Sequence, residues 1–301
     1  MTTVDQIANA VLYEGYILYP YRPSSVKNRQ RWNFGLVYPE KYAGSLDGSA
    51  LSTMQTECLV RGTEKTTMKA RIRFLQVVTR QAGWQEAMER EISSPDLRLS
   101  DIALESFRQP FQFEPDLART RFLQGVVDVA AKEASRGVYQ VKIRITNLTE
   151  LAEPDQDRHD TAVLQAMVST HTILDVTEGE FVSLLEPPED LCDAAAGCRN
   201  VGTWPVLAGE KGQCRSMLSS PIILYDYPEV APESPGELFD GTEIDEILTL
   251  RILTMTDQEK EEIRRSDERA RRLLERTETL PQEHLARLHG ALRGLHPVLD
   301  Q

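Results

Sequence analysis

The residues best able to do chemistry lie in two distant loops of opposite charge. Between Tyr225 and Glu246 the chain carries eight carboxylates: Asp226, Glu229, Glu233, Glu237, Asp240, Glu243, Asp245 and Glu246. Pro228, Pro232 and Pro235 stiffen that loop. Near the N-terminus, Arg22, Lys27, Arg29 and Arg31 alternate with Tyr19, Tyr21, Trp32 and Phe34. One chemistry that fits is acid–base work, with Asp226 or Glu229 as base and Arg22 or Arg31 as anion anchor in a hydrolase or lyase. A second is calcium or magnesium binding by the carboxylates, although their spacing matches no EF-hand loop. The simplest is charge pairing between the loops. That pairing would join Tyr21, Arg22, Arg29, Arg31 and Trp32 to Tyr225, Asp226, Tyr227 and Glu229 as a protein-recognition surface, with arginine and aromatic anchors carrying the affinity.

Other chemistry has weaker support. Cys192 and Cys198 are separated by five residues, with Cys214 further on and no histidine close by. Structural zinc favours closer thiolate pairs, so no metal is expected. His171 sits in an apolar run, VSTHTIL, and reads as a buried, hydrogen-bonded histidine. His284 and His289 are five apart, not the i, i+4 pair of a helical zinc site. No G-x-S-x-G, G-x-G-x-x-G or P-loop string is present, so neither an acyl-transfer site nor a nucleotide cofactor is expected.

Composition narrows the field further. The chain has 301 residues and a formal charge of −13. That charge opposes non-specific binding to nucleic acid or to an anionic membrane, despite the local basic and aromatic run at 19–34. No apolar run approaches the ~20 residues of a membrane span. The first residues, MTTVDQIANAVLYEGYILY, lack the basic start of a secretory signal. Four cysteines are too few for a disulfide scaffold. A cytoplasmic protein with reduced thiols is the expectation.

The elements that must position these loops are mainly strands. Val4, Ile7, Ala8, Val11 and Leu12 predict an N-terminal helix. Residues 54–60 and 68–78 alternate apolar and polar and predict two strands joined by a turn at 61–66. Residues 121–133 and 138–149 predict a second hairpin. Strands are also expected at 162–176 and 200–209, and Pro221–Tyr225 forms a further apolar run. Residues 80–120 are less regular and predict a surface excursion with short helices at 84–91 and 100–107. Thr256 and Glu259 form a capping box that starts a helix to about Thr277; Pro281 breaks it, and 282–295 predict another. The reading is mainly β (α+β): an antiparallel β-sandwich over 1–255 with an N-terminal helix, and a helical hairpin appended at 256–301.

Four strings carry a family likeness: ILYPYRPSSVKNRQRWNFG (17–35), VSTHTILDVTEGEFVSLLEPP (168–188), CRNVGTWPVLAG (198–209) and the long run 219–260. Together they resemble an uncharacterised bacterial family often encoded beside uptake [NiFe]-hydrogenase genes. The resemblance implies an accessory role in hydrogenase assembly or maturation, with a hydrogenase subunit or maturation factor as partner. It assigns no catalytic residue. It does not imply metal transfer, since the chain has none of the His or Cys clusters a nickel or iron carrier would offer.

Overall fold

The computed structural model describes residues 2–14, 16, 32–46, 48–79, 85–115, 120–151, 159–229, 252–265 and 268–279. The chain divides into two compact units, 1–13 with 32–229, and 14–31 with 230–301. This division differs from the expected boundary at 255/256.

The larger unit is one antiparallel sheet. Its strands are β1 (Thr53–Thr79), β2 (Gln85–Ser93), β3 (Leu97–Arg98), β4 (Phe107–Phe113), β5 (Leu123–Ser135), β6 (Val138–Asn147), β7 (Val168–Val182), β8 (Trp204–Ala208) and β9 (Ser216–Ser220). They run in the order β4-β5-β6-β1-β7-β9-β8, with β2 and β3 also on β1. The mainly β architecture expected from alternation is therefore present. Its layers belong to a single sheet organised by β1. The first half of β1 pairs with β6, and the second half with β2 and β3. The free side of β4 comes back to β2: Gln109 donates to the Ser93 carbonyl at 3.2 Å. Arg90 lies 4.8 Å over the Phe113 ring. Inside the curl, Phe74 meets Phe113 edge-on at 5.8 Å among Ile72, Val127, Ile143 and Leu174.

Two expectations about the strands are corrected. Residues 53–79 are one 27-residue strand, not a hairpin. β7 pairs with both halves, Gly62 opposite Gly179 and Thr67 opposite Thr177, so the residues between bulge out without reversing the chain. Thr66 fills the bulge: its hydroxyl accepts from Thr63 N–H at 2.8 Å and donates to the Glu178 carbonyl at 2.6 Å. A Cβ on Gly62 would stand 2.4 Å from that hydroxyl, so glycine is required there. Likewise, residues 85–113 are no surface excursion. Residues 85–91, expected as helix, form most of β2. A short helix, Leu99–Leu104, follows β3, and β4 comes next.

An amphipathic helix, α1 (Thr3–Tyr13), lies against β7 and β9, burying Val4, Ile7, Ala8 and Val11 on Ile173, Ala208 and Leu218. Thr2 caps it, accepting from Asp5 N–H at 3.2 Å. In the smaller unit, helices Asp257–Arg264 and Glu268–Glu278 form a hairpin tied by Arg264–Glu278 at 3.0 Å and Lys260–Glu278 at 3.2 Å. The Thr256–Glu259 capping box is present as expected. The expected long first helix is instead this pair. The helix expected at 282–295 lies outside the described residues.

Candidate functional site

The sites expected from sequence meet different fates. Tyr21, Arg22, Arg29 and Arg31 lie outside the described residues, as do 230–246. The pairing of the two charged loops therefore has no geometry here. Trp32 is buried and donates its indole N–H to Gln85 Oε1 at 2.6 Å. It holds the chain against β2 and is no exposed anchor.

Tyr225, Asp226, Tyr227 and Glu229 follow β9. The apolar run at 221–225 is not a strand; pairing stops at Ser220, opposite Trp204. The chain then passes around the Trp204 end of β8 and returns along its outer edge. There Asp226 Oδ1 accepts from Leu207 N–H at 2.7 Å, and Tyr227 N–H donates to the Leu207 carbonyl at 2.7 Å. Asp226 Oδ2 takes the Ser183 hydroxyl at 2.5 Å. Asp226 thus closes the sheet edge, occupying backbone groups that would otherwise be open to another strand. Pro205, in the same phase as Leu207, points its missing N–H toward that edge. Tyr227 has φ +56 and sits 3.4 Å from Cys214 Sγ. That contact, then burial, pushes its hydroxyl pKa up to about 12. Around this stapled edge stand exposed apolar side chains: Tyr225 at 87%, Ile223 at 73% and Trp204 at 45%.

A second site was not anticipated. On the outer face of β5, β6 and β1 the register lines up Ala130, Lys142 and Glu57 in one row and Lys132, Gln140 and Leu59 in the next. Gly197 and Arg199, just after the helix Cys192–Ala196, wall one side. The result is a cleft of about 450 Å3. Glu57 is buried at its base. Its Oε1 faces Lys142 Nζ at 3.0 Å and accepts from Gln55 Nε2 at 3.2 Å. Its Oε2 accepts from Gln140 Nε2 and Arg199 N–H, each at 2.8 Å. Burial alone would raise the Glu57 pKa, but the Arg199 N–H, Lys142 and Gln140 together hold it below the ordinary carboxylate value. With four donors in place, Glu57 is a fixed negative charge that orders the cleft. In sequence it is one acid in a strand, Thr-Glu-Cys, with nothing local to single it out. Only the cross-strand register brings its partners to it.

His171 is fully buried on the α1 side of β7, opposite Arg73. Its Nδ1–H donates to the Ser169 carbonyl at 2.9 Å, while Nε2 has no hydrogen-bond partner among the described residues. The histidine is thus buried and hydrogen-bonded, as expected, but through one ring nitrogen alone. Burial lowers its pKa to about 4, and the charges of Arg73 and Arg71 add to the drop. Among the described residues no group of His, Cys, Asp and Glu could hold a metal ion. No helix among them is long and apolar enough to cross a membrane. Asn147 is buried and donates its side-chain amide to the Val37 and Gln165 carbonyls. Compared with known proteins, the chain matches no family model and no curated protein.

Proposed function

We propose that this protein is a cytoplasmic, non-catalytic accessory factor that binds another protein, with [NiFe]-hydrogenase assembly or maturation as its setting. The setting comes from the resemblance of strings 17–35, 168–188, 198–209 and 219–260. One observation carries the binding role: Trp204, Ile223 and Tyr225 are exposed on a segment held rigid at the sheet edge by Asp226. A large apolar side chain on a fixed backbone loses little conformational freedom on association, which favours its use as an anchor. The same bonds speak against Asp226 as the base of the competing hydrolase or lyase reading, which leaves that reading only its other candidate, the exposed Glu229. Both Asp226 oxygens already accept from Ser183 and Leu207.

Recovery of tagged protein with its complexes from cells tests this reading. A hydrogenase subunit or maturation factor should co-purify, and Trp204→Ala with Tyr225→Ala should abolish its recovery. Complexes free of any hydrogenase component, or unaffected by the double substitution, would remove the proposal.

A further inference from the structure

The Glu57 cleft has a charge pattern opposite to that of the whole chain. Of its lining residues, Lys132, Lys142 and Arg199 are cationic and Glu57 alone is acidic, a local balance of +3 − 1 = +2. The chain as a whole carries −13. Lys142 is held by Glu57 through one of its three ammonium protons and retains donors for another acceptor. The side chains of Lys132 and Arg199 have no carboxylate partner among the described residues, and both are exposed. Ala130 and Gly197 leave the volume between the cations open. The Arg199 backbone is pinned by its N–H to Glu57, and the next residue returns the bond: Asn200 Oδ1 accepts from Glu57 N–H at 2.7 Å. Two of the three cations therefore hang from groups whose positions are set before any ligand arrives.

We propose that this cleft binds a small dianion, with Lys132, Lys142 and Arg199 as its ligands. The chemistry that fits is a phosphate or dicarboxylate group on a small molecule. A +2 balance matches two negative charges, and an arginine beside two lysines offers both a planar fork and point charges to the oxygens. The cavity is within the size range of small-molecule sites. Glu57 does not touch the ligand; it keeps Lys142 and Arg199 in place. This inference is independent of the protein-binding reading.

Titration calorimetry of the full chain at constant ionic strength tests it, with inorganic phosphate and succinate as probes and chloride as the monoanionic control. At least one dianion should bind saturably, and chloride should not compete. The double variant Lys132→Ala/Arg199→Ala should weaken that binding at least tenfold. Arg61→Ala, which removes an exposed cation that lies on the same strand as Glu57 and pairs with Asp190, should leave it unchanged. Both tested side chains are exposed, and thermal denaturation of the double variant confirms that it is folded. No saturable binding of either dianion to the parent protein overturns the proposal, as does binding insensitive to the double substitution or equally sensitive to Arg61→Ala.

Discussion

The two halves of β1 carry the same alternation and end in different environments. In the second half, the outward residues Arg71 and Arg73 lie on the sheet face that carries α1. Arg71 pairs with Asp5 of that helix at 3.0 Å, and Arg73 with Glu89 of β2 at 3.3 Å. Tyr13, at the end of α1, hydrogen-bonds the same Glu89. Arg73 is only 9% exposed, although its alternation with Ile72 and Phe74 predicts a wet face. In the first half, the outward Gln55, Glu57 and Leu59 are also buried, beneath 189–200 and the side chains of β6, but the cover stops short of Ala130 and Lys132 on β5, and a cleft remains there. The difference lies in the roof rather than in the strand. A helix across the face gives each outward arginine a carboxylate partner and leaves Arg73 little exposed, whereas a partial cover leaves cations facing a cavity.

The largest expected effect lies in the shared interior. Phe74→Ala should destabilise the larger unit by about 3–5 kcal/mol, because Phe111 and Phe113 lose their common partner. Chemical denaturation measures it, and a loss below 1 kcal/mol would mean the curled sheet is not held by this cluster.

Next comes the roofed half under acid. His171 has its pKa depressed to about 4 from an ordinary 6.5, so the unfolded chain binds its proton first as pH falls. Stability should be unaffected by this group above pH 6.5 and decline between about 6.5 and 4, by about 3 kcal/mol in total. His171→Gln should flatten that segment of the pH profile. An unchanged slope would assign the acid sensitivity to other groups.

Glu57→Gln sharpens the contrast with the open half. It removes the charge facing Lys142 and replaces one acceptor oxygen by a donor amide. A cost of about 1–3 kcal/mol is expected, with loss of dianion selectivity in the cleft as its ordering charge goes. A neutral result would show that the cleft is not built on Glu57. The smallest effect is at the helix that forms the roof: Thr2→Ala should cost about 1 kcal/mol by removing the α1 cap. Hydrogen exchange should report faster opening over 3–13 and no change over 53–61. Equal change in both halves would mean that α1 does not act on one half alone.

Much of the local structure was legible before any coordinates. The α1 stripe, the β5–β6 hairpin and the Thr256–Glu259 cap are set by neighbours a few residues apart. Residues 61–66 have the composition of a turn, Arg-Gly-Thr-Glu; what keeps the chain extended there is β7, more than a hundred residues away. Residues 85–93 alternate only weakly and are held extended by β1, and the alternation of β4 is interrupted by Pro110 and completed by its pairing with β5. Of the candidate site, Tyr225 and its neighbours could be named from composition, but the role of Asp226 could not, because Ser183 and Leu207 are distant in sequence.

The sequence by itself determined the class of fold, mainly antiparallel β with helices at both ends, since alternation and capping are properties of adjacent residues. Tertiary structure alone decided which charges are covered and which face a cavity. Glu57, Lys132, Lys142 and Arg199 are scattered over more than 140 residues, and only the pairing register of three strands and the fold-back of 197–199 bring them to one place.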